Sequence, residues 1–367
     1  MKKNNKPVPD DEADEKIERF KVSRHYSLVL CWRLSGICHL HTTHAMYFNL
    51  DTERGLDQTS EGSEISHRIE FHLAVQRSDI PKHSPVWLKA TPVISVPLSQ
   101  TLQADQHAGL LSQKAGKSLA KAQWDSVGAT FCLGELQAGM DFRFQVGKFD
   151  VQHPDPRVNR ERRPVTLSEW IKTNHATYPR IRLARLIAEV VLKFDSKLWR
   201  WTDLEAENLL IVPPLEYEHV ESHIGVSLEH QKHQPPQTES TPMRAGEVFI
   251  HLGITFLEIA YQTKLERPSS SNSVQDESCP TIRNILGLAN DEKLQNQMGD
   301  KYADVVRFCL SARTLETDLR DRQMQRNFYK NVIGVLRQEE EYQADSFEEL
   351  AKIDQELKRK ARETGAS

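Results

Sequence analysis

The spacing of apolar residues changes period once along this chain, and that change constrains the fold more than any other feature. Before about residue 149 the apolar stretches are short and rich in aromatic and β-branched residues: HAMYFNL, IEFHLAV, PVWLKATPVISVPL, ATFCLGEL and FRFQVGKF. Polar, glycine- or proline-bearing stretches such as DTERGLDQTSEGSE separate them, the pattern of strands in an antiparallel sheet. After the turn-prone HPDPRVNRERRP the period becomes helical, and RIRLARLIAEVVLKF sets Ile181, Leu183, Leu186, Ile187, Val190 and Val191 on one stripe. Thr166 or Ser168 can cap the preceding EWIKT turn. EVFIHLGITFLEIAYQTKL, KYADVVRFCLSA and RNFYKNVIGVLRQ continue the helical reading, with EHQKHQPPQTESTP and ERPSSSNSVQDESCP as exposed loops. At the front, Ile17, Phe20, Tyr26, Leu28 and Leu30 fall near helical spacing between Glu15 and Trp32. The segment from His107 to Trp124 reads as a helix or loop over the sheet. The expected organisation is α+β: a polar tail over 1–14, a helix and β-rich part over 15–160, a mainly helical part over 161–340, and a charged helix or tail over 341–367.

Composition removes several function classes. The chain has 367 residues, 38% of them hydrophobic and 27% charged, with a net charge of −4, so nothing in the total charge argues for a nucleic-acid partner. No run approaches the ~18 apolar residues of a membrane-spanning helix, and MKKNNKPVPDDEADEK lacks the apolar core of a signal peptide. The expected setting is intracellular and cytoplasmic. Five cysteines, an odd and sparse set, read as mostly reduced and buried.

The most informative string is WTDLEAENLLIV, residues 201–212. It resembles the catalytic loop of protein kinases, H-R-D-L-K-P-E-N-I-L, in which an aspartate accepts the substrate proton, a lysine stabilises the transferring phosphoryl group and an asparagine holds Mg²⁺. Asp203 and Asn208 are retained. Trp201, Thr202 and Glu205 replace the histidine, arginine and lysine, and Glu205 puts a negative charge where more negative charge would develop. The second Mg²⁺-holding carboxylate is also missing, since no aspartate lies between Asp203 and Asp276, and Glu221 is the nearest stand-in. No G-x-G-x-x-G string occurs to cover phosphates. Lys89 in VWLKA imitates the kinase V-A-I-K strand, but the next glutamate is the distant Glu135. AGKS at 115–118 has Leu111 where a P-loop needs glycine, and reads as a surface turn. Asp203 has a plain structural reading that takes precedence over catalysis: its carboxylate caps the turn after the apolar helix while Asn208 bonds local backbone.

CWRLSGICHLHTTH contains Cys31, Cys38, His39, His41 and His44, all possible zinc ligands, but their spacing fits no standard motif. Strand alternation would turn Cys38 and His44 inward, making them the nearest candidates for a metal pair. A buried cysteine among ordinary histidines is the preferred reading.

Taken in order, WRLSGICHLHTTH with AMYFNL, FHLAV, CLGEL, VTLSEWI, RLARLIAEVVLKF leading to LWRW, FIHLGITFLEIAYQTKLE and YADVVRFCLSA resemble a fungal domain family of unknown function. That family is often found behind HeLo or prion-inhibition-and-propagation domains, and its second half looks like a degenerate protein-kinase lobe. Within FIHLGITFLEIAYQTKLE, Gly253 and Glu258 match the kinase helix W-S-L-G-V-x-L-x-E-L-x-x-G. The front departs from the pattern, with a short tail and one helix in place of a long helical domain. The resemblance implies a two-lobed, protein-kinase-like (pseudokinase) architecture with a β-rich N-terminal lobe and a mainly helical C-terminal lobe. It implies a non-catalytic protein-interaction scaffold with an unidentified protein partner and no cofactor. Two alternatives stand beside it: an atypical phosphotransferase using Asp203 and Asn208, with Glu221 helping to hold Mg²⁺ and ATP, and an accessory protein of a fungal signalling, incompatibility or metabolite pathway.

Overall fold

Among the described residues, eight strands in a single antiparallel sheet and a set of packed helices follow the change of period. A computed structural model of the chain describes residues 8–35, 43–49, 71–77, 86–94, 132–137, 142–148, 165–173, 176–194, 209–212, 221–229, 244–268, 279–344 and 356. The first half supplies helix α1 (Asp10–Ser35) and strands β1 (Thr43–Asn49), β2 (Phe71–Arg77), β3 (Val86–Ile94), β4 (Cys132–Gln137) and β5 (Phe142–Lys148). The second half adds β6 (Val165–Thr166), α2 (Leu167–Thr173), α3 (Thr177–Lys193), β7 (Leu209–Val212), β8 (Glu221–Glu229) and α4 (Ala245–Tyr261). It ends with α5 (Pro280–Ala289), α6 (Glu292–Met298), α7 (Asp300–Ser311), a 3-10 turn (Ala312–Thr314), α8 (Arg322–Phe328), a π turn (Tyr329–Ile333) and a last helix, α9, over 334–344.

The strand order is β4-β5-β3-β2-β1-β8-β7-β6, and every neighbouring pair is antiparallel. β1 pairs with β8 from Thr43 opposite Glu229 to Asn49 opposite His223, so the sheet runs unbroken from the β-rich half into the helical half. The ring of Phe48 on β1 lies 5.4 Å from that of Phe194, the residue that ends α3, and 6.2 Å from that of Phe71 on β2. This aromatic contact joins the sheet to the helices.

Local chemistry sets the helix ends. Thr166 and Glu169 form a capping box for α2: Glu169 N donates to Thr166 Oγ1 at 3.2 Å and Thr166 N donates to Glu169 Oε2 at 3.1 Å. Asp291 and Asp321 cap α6 and α8 by accepting from Lys293 N and Met324 N, and Pro280 opens α5 where its missing N–H costs nothing. The cap expected at Thr166 or Ser168 is therefore Thr166.

α1 begins at Asp10, inside the stretch expected to be a tail. Asp10, Asp11 and Glu12 lie in its first turn, where the helix dipole favours negative charge. Its inward face is Ala13, Ile17, Phe20, Ser23, Ser27 and Leu30, and Phe20 packs 6.2 Å from the ring of Tyr329. Tyr26 and Leu28 sit at the edge of this stripe, half-buried. His107 to Trp124 and most of the charged C-terminal segment lie outside the described residues, although the helix expected there is present to 344.

α4 is apolar on almost every side and buried along nearly its whole length, the pattern of a helix inside the core. Its first turn is held by Ala245 N to Thr317 O at 2.9 Å and Gly246 N to Leu315 O at 3.0 Å. A Cβ at Gly246 would lie 2.8 Å from Leu315 O and 2.8 Å from the carbonyl carbon of Arg313, both backbone atoms. We expect Gly246→Ala to destabilise the fold by about 1–3 kcal/mol in urea unfolding, although alanine is the better helix former.

Candidate functional site

α3 carries Arg180, Arg182, Arg185, Glu189 and Lys193, all buried, and it leads directly toward the segment that holds Asp203 and Asn208. Charges inside a core persist only when paired. Glu189, with its side chain 0% exposed, is the centre of the pairing. Its Oε1 accepts from Arg185 Nη1 at 2.6 Å and Arg337 Nη2 at 3.1 Å, and its Oε2 meets Lys193 Nζ at 2.6 Å. Glu340 on α9 receives Arg185 Nε, and Arg182 Nη1 lies 3.5 Å from its Oε1. Burial alone would raise the Glu189 pKa, but Arg185, Lys193 and Arg337 overcome it and hold the carboxyl well below the usual range.

The same turn is tied to α1. Lys193 Nζ lies 5.4 Å from the centre of the Phe20 ring, and Arg24 donates to the Leu192 carbonyl through Nη2 at 2.8 Å and Nε at 3.1 Å. That arginine satisfies one of the carbonyls that a helix C-terminus leaves without an intrahelical donor. The end of α3 is thus held by charge from α9, by α1, and by Phe194 against the sheet.

A second buried cluster closes the end of α4. Arg267 Nη2 meets Glu258 Oε2 at 2.7 Å and Thr255 Oγ1 at 3.2 Å, and Arg267 Nη1 lies 3.2 Å from His251 Nδ1. Glu258 Oε1 also accepts from Leu265 N at 3.1 Å. Burial, then the Arg267 charge, pushes the His251 pKa down to about 3, so the ring is neutral at physiological pH and Nδ1 can accept from Arg267. Both clusters lock helices and segments in place. Gly253, which with Glu258 matched the kinase helix in sequence, lets α4 approach α7: a Cβ there would come within 2.6 Å of Leu310 Cδ2.

Of the sequence-derived site residues, Asp203, Asn208 and Cys38 lie outside the described residues. Glu221 is the first residue of β8, opposite Val212 at the end of β7, the strand that comes after residues 195–208 in sequence. Lys89 pairs with His72 and Gly147 on β3. Three strand spacings separate β3 from β8, so Lys89 and Glu221 stand more than about 14 Å apart across the sheet. His44 lies on β1 between Arg77 and Leu228. Among the described residues no group of three or more His, Cys, Asp or Glu side chains is placed to hold a metal ion. Cys279 and Cys309 are free thiols, and burial raises the Cys309 pKa, which makes it unreactive packing. The structural roles of Glu189, Arg337, Glu340 and Arg267 were not singled out from sequence. The i, i+4 run of Arg185, Glu189 and Lys193 inside an apolar stripe was the available signal.

A family model described as a domain of unknown function, DUF7580, matches residues 150–342, more than half of the chain. The chain belongs to that family. No curated protein matches the sequence. Among solved structures, the Neurospora crassa PAN3 pseudokinase is similar at 13% identity, with a TM-score of 0.31, covering 89% of this chain and 72% of that one. A complex of Neurospora crassa PAN2 with PAN3 is similar at 12% identity and a TM-score of 0.30, covering 89% of this chain and 70% of that one. The α+β layout expected from the sequence is the one observed: a β-rich N-terminal part, the buried helix α3, the strand pair β7–β8, and the helices from α4 onward. In the family domain Glu189 sits one helical turn before the end of α3.

Two outcomes test the clusters. Glu189→Gln leaves Arg185, Lys193 and Arg337 facing a neutral amide, and we expect a loss of about 3–5 kcal/mol in urea unfolding. Because the folded-state pKa of Glu189 is depressed, its contribution is complete above the ordinary glutamate range and is lost on acidification below it. For His251 the folded protein binds fewer protons than the unfolded chain between about 6.5 and about 3, so stability falls as pH falls through that window, by up to about 1.4 kcal/mol per unit. In His251→Gln that part of the slope disappears, which urea midpoints at a series of pH values will show.

Proposed function

We propose that the protein is a non-catalytic, pseudokinase-like scaffold whose activity is the binding of another protein. One observation carries this reading: the chain keeps Asp203 and Asn208 but has no aspartate between Asp203 and Asp276 to hold Mg²⁺ against phosphates. Glu205 adds a repulsive charge where a transferring phosphoryl group needs a cation. Family membership and the kinase-like layout agree with a retained shape, and a shape alone confers no chemistry. The PAN3 pseudokinase has been solved in complex with PAN2, which gives the idea of a protein partner a parallel and no more.

The second reading is an atypical, Mg²⁺-dependent phosphotransferase in which Asp203 accepts the substrate proton while Asn208 and Glu221 hold the metal. The retention of Asp203 and Asn208 in the right order after an apolar helix favours it. A thermal-shift titration with ATP, with and without Mg²⁺, separates the two, because a ligand at ~100 times its Kd stabilises the folded state by about 2.7 kcal/mol. The scaffold reading expects no shift at roughly millimolar ATP. A Mg²⁺-dependent shift that disappears in Asn208→Ala overturns it.

A further inference from the structure

The start of α1 and the length of α8 form a matched charge surface across more than 300 residues of sequence. Arg322, Arg326 and Lys330 recur every four residues and so line one face of α8 and the π turn that extends it. Asp10 and Asp14 recur at the same interval on α1. Arg326 grips Asp14 with two donors, Nη2 to Oδ2 at 2.6 Å and Nε to Oδ1 at 2.9 Å. Arg322 Nη2 adds a longer contact to the same carboxylate at 3.4 Å, and Lys330 pairs with Asp10. The geometry of Arg326 is the two-pronged one that gives an arginine–carboxylate pair its directionality. These cations hold both carboxyls below their usual range.

Burial divides α1 into two unequal parts. From Ile17 onward the helix is anchored by Ile17, Phe20 and Leu30 in the core, by Arg24 on Leu192 and by Lys193 over Phe20. Between Val8 and Lys16 the only core residue is Ala13. Val8 rests beside Gly334, where a Cβ would stand 2.7 Å from Val8 Cγ2, so the bare backbone of Gly334 makes the seat. The first two turns are held by half-exposed charge and a small contact, the remainder by apolar burial. Screening weakens the first kind of attachment and spares the second.

We propose that the Arg322, Arg326 and Lys330 face of α8 and the π turn is a receptor for the acidic start of a helix, filled in this chain by residues 8–16, the first turns of α1 and the two residues before them, which open as a unit separate from residues 17–35. The attachment is coded by charge, and its opening uncovers the cationic stripe and the Gly334 seat without unfolding the core. Hydrogen exchange read by mass spectrometry on the full chain tests it. At about 50 mM NaCl residues 8–16 and 322–330 are protected; at about 1 M NaCl exchange in 8–16 rises at least tenfold while 17–35 changes by less than twofold. Asp14→Arg or Arg326→Asp reproduces that loosening at low salt, and the swap that combines them restores protection. Gly334→Leu, which alters no charge, releases residues 8–16 at low salt by filling the Val8 seat. Exchange in 8–16 that follows 17–35 at both salt concentrations overturns the proposal even if a variant fails to fold. A folded charge swap that leaves 8–16 as open as the single substitutions also overturns it.

Discussion

A single carboxylate decides how the helical half is assembled. α3 is buried on almost all sides, so its apolar stripe alone leaves its rotation about its own axis loosely set. Glu189 supplies the missing specification. Arg185 and Lys193 stand four residues before and after it on its own helix, so it is the contact with Arg337 on α9 that selects one rotation and one axial position of α3. An apolar side chain of similar volume would pack without choosing among rotations. Holding α3 in register then places Phe194 against Phe48, and so the sheet against the helices.

The order of elements was legible because it depends on local pattern. Strand-forming residues in HAMYFNL, FHLAV and FRFQVGKF became β1, β2 and β5, and the stripe from Ile181 to Val191 became the core of α3. What escaped the sequence depends on partners far away in it. Asp10 to Asp14 looked like tail because their helix is supported by Arg326 and Lys330, which local propensity cannot reveal. The pairing of β1 with β8 depends on which strand edge remains open once β2 has taken the other. At the site, the kinase-like motif was visible as a string, whereas Arg337, at the end of the helical RNFYKNVIGVLRQ, and Glu340, just after it, secure the helix leading to that string through contacts that local pattern does not show.

The two buried clusters divide the structural work. Glu189 and Glu340 bind α3 to α9, while Glu258, Thr255 and His251 bind the segment after α4 back onto α4 through one guanidinium. Gly246 and Gly253 remove side chains where α4 meets the 3-10 turn and α7. Close backbone approach and paired charge therefore act on the same central helices, which tolerates little change in side-chain volume around α4 and little change in charge around α3.

The partnership of β1 with β8 also sets a timetable for synthesis. Residues 43–49 leave the ribosome roughly 170 residues before their partner strand, and at about 5–20 residues per second that interval lasts on the order of ten to thirty seconds. Throughout it the nascent meander of β1, β2 and β3 presents an open edge of backbone donors and acceptors, the kind of edge that invites pairing with another chain. α1 waits longer still, since its partner Arg326 follows Asp14 by 312 residues. The edge of β1 thus stays open until residues 221–229 are made.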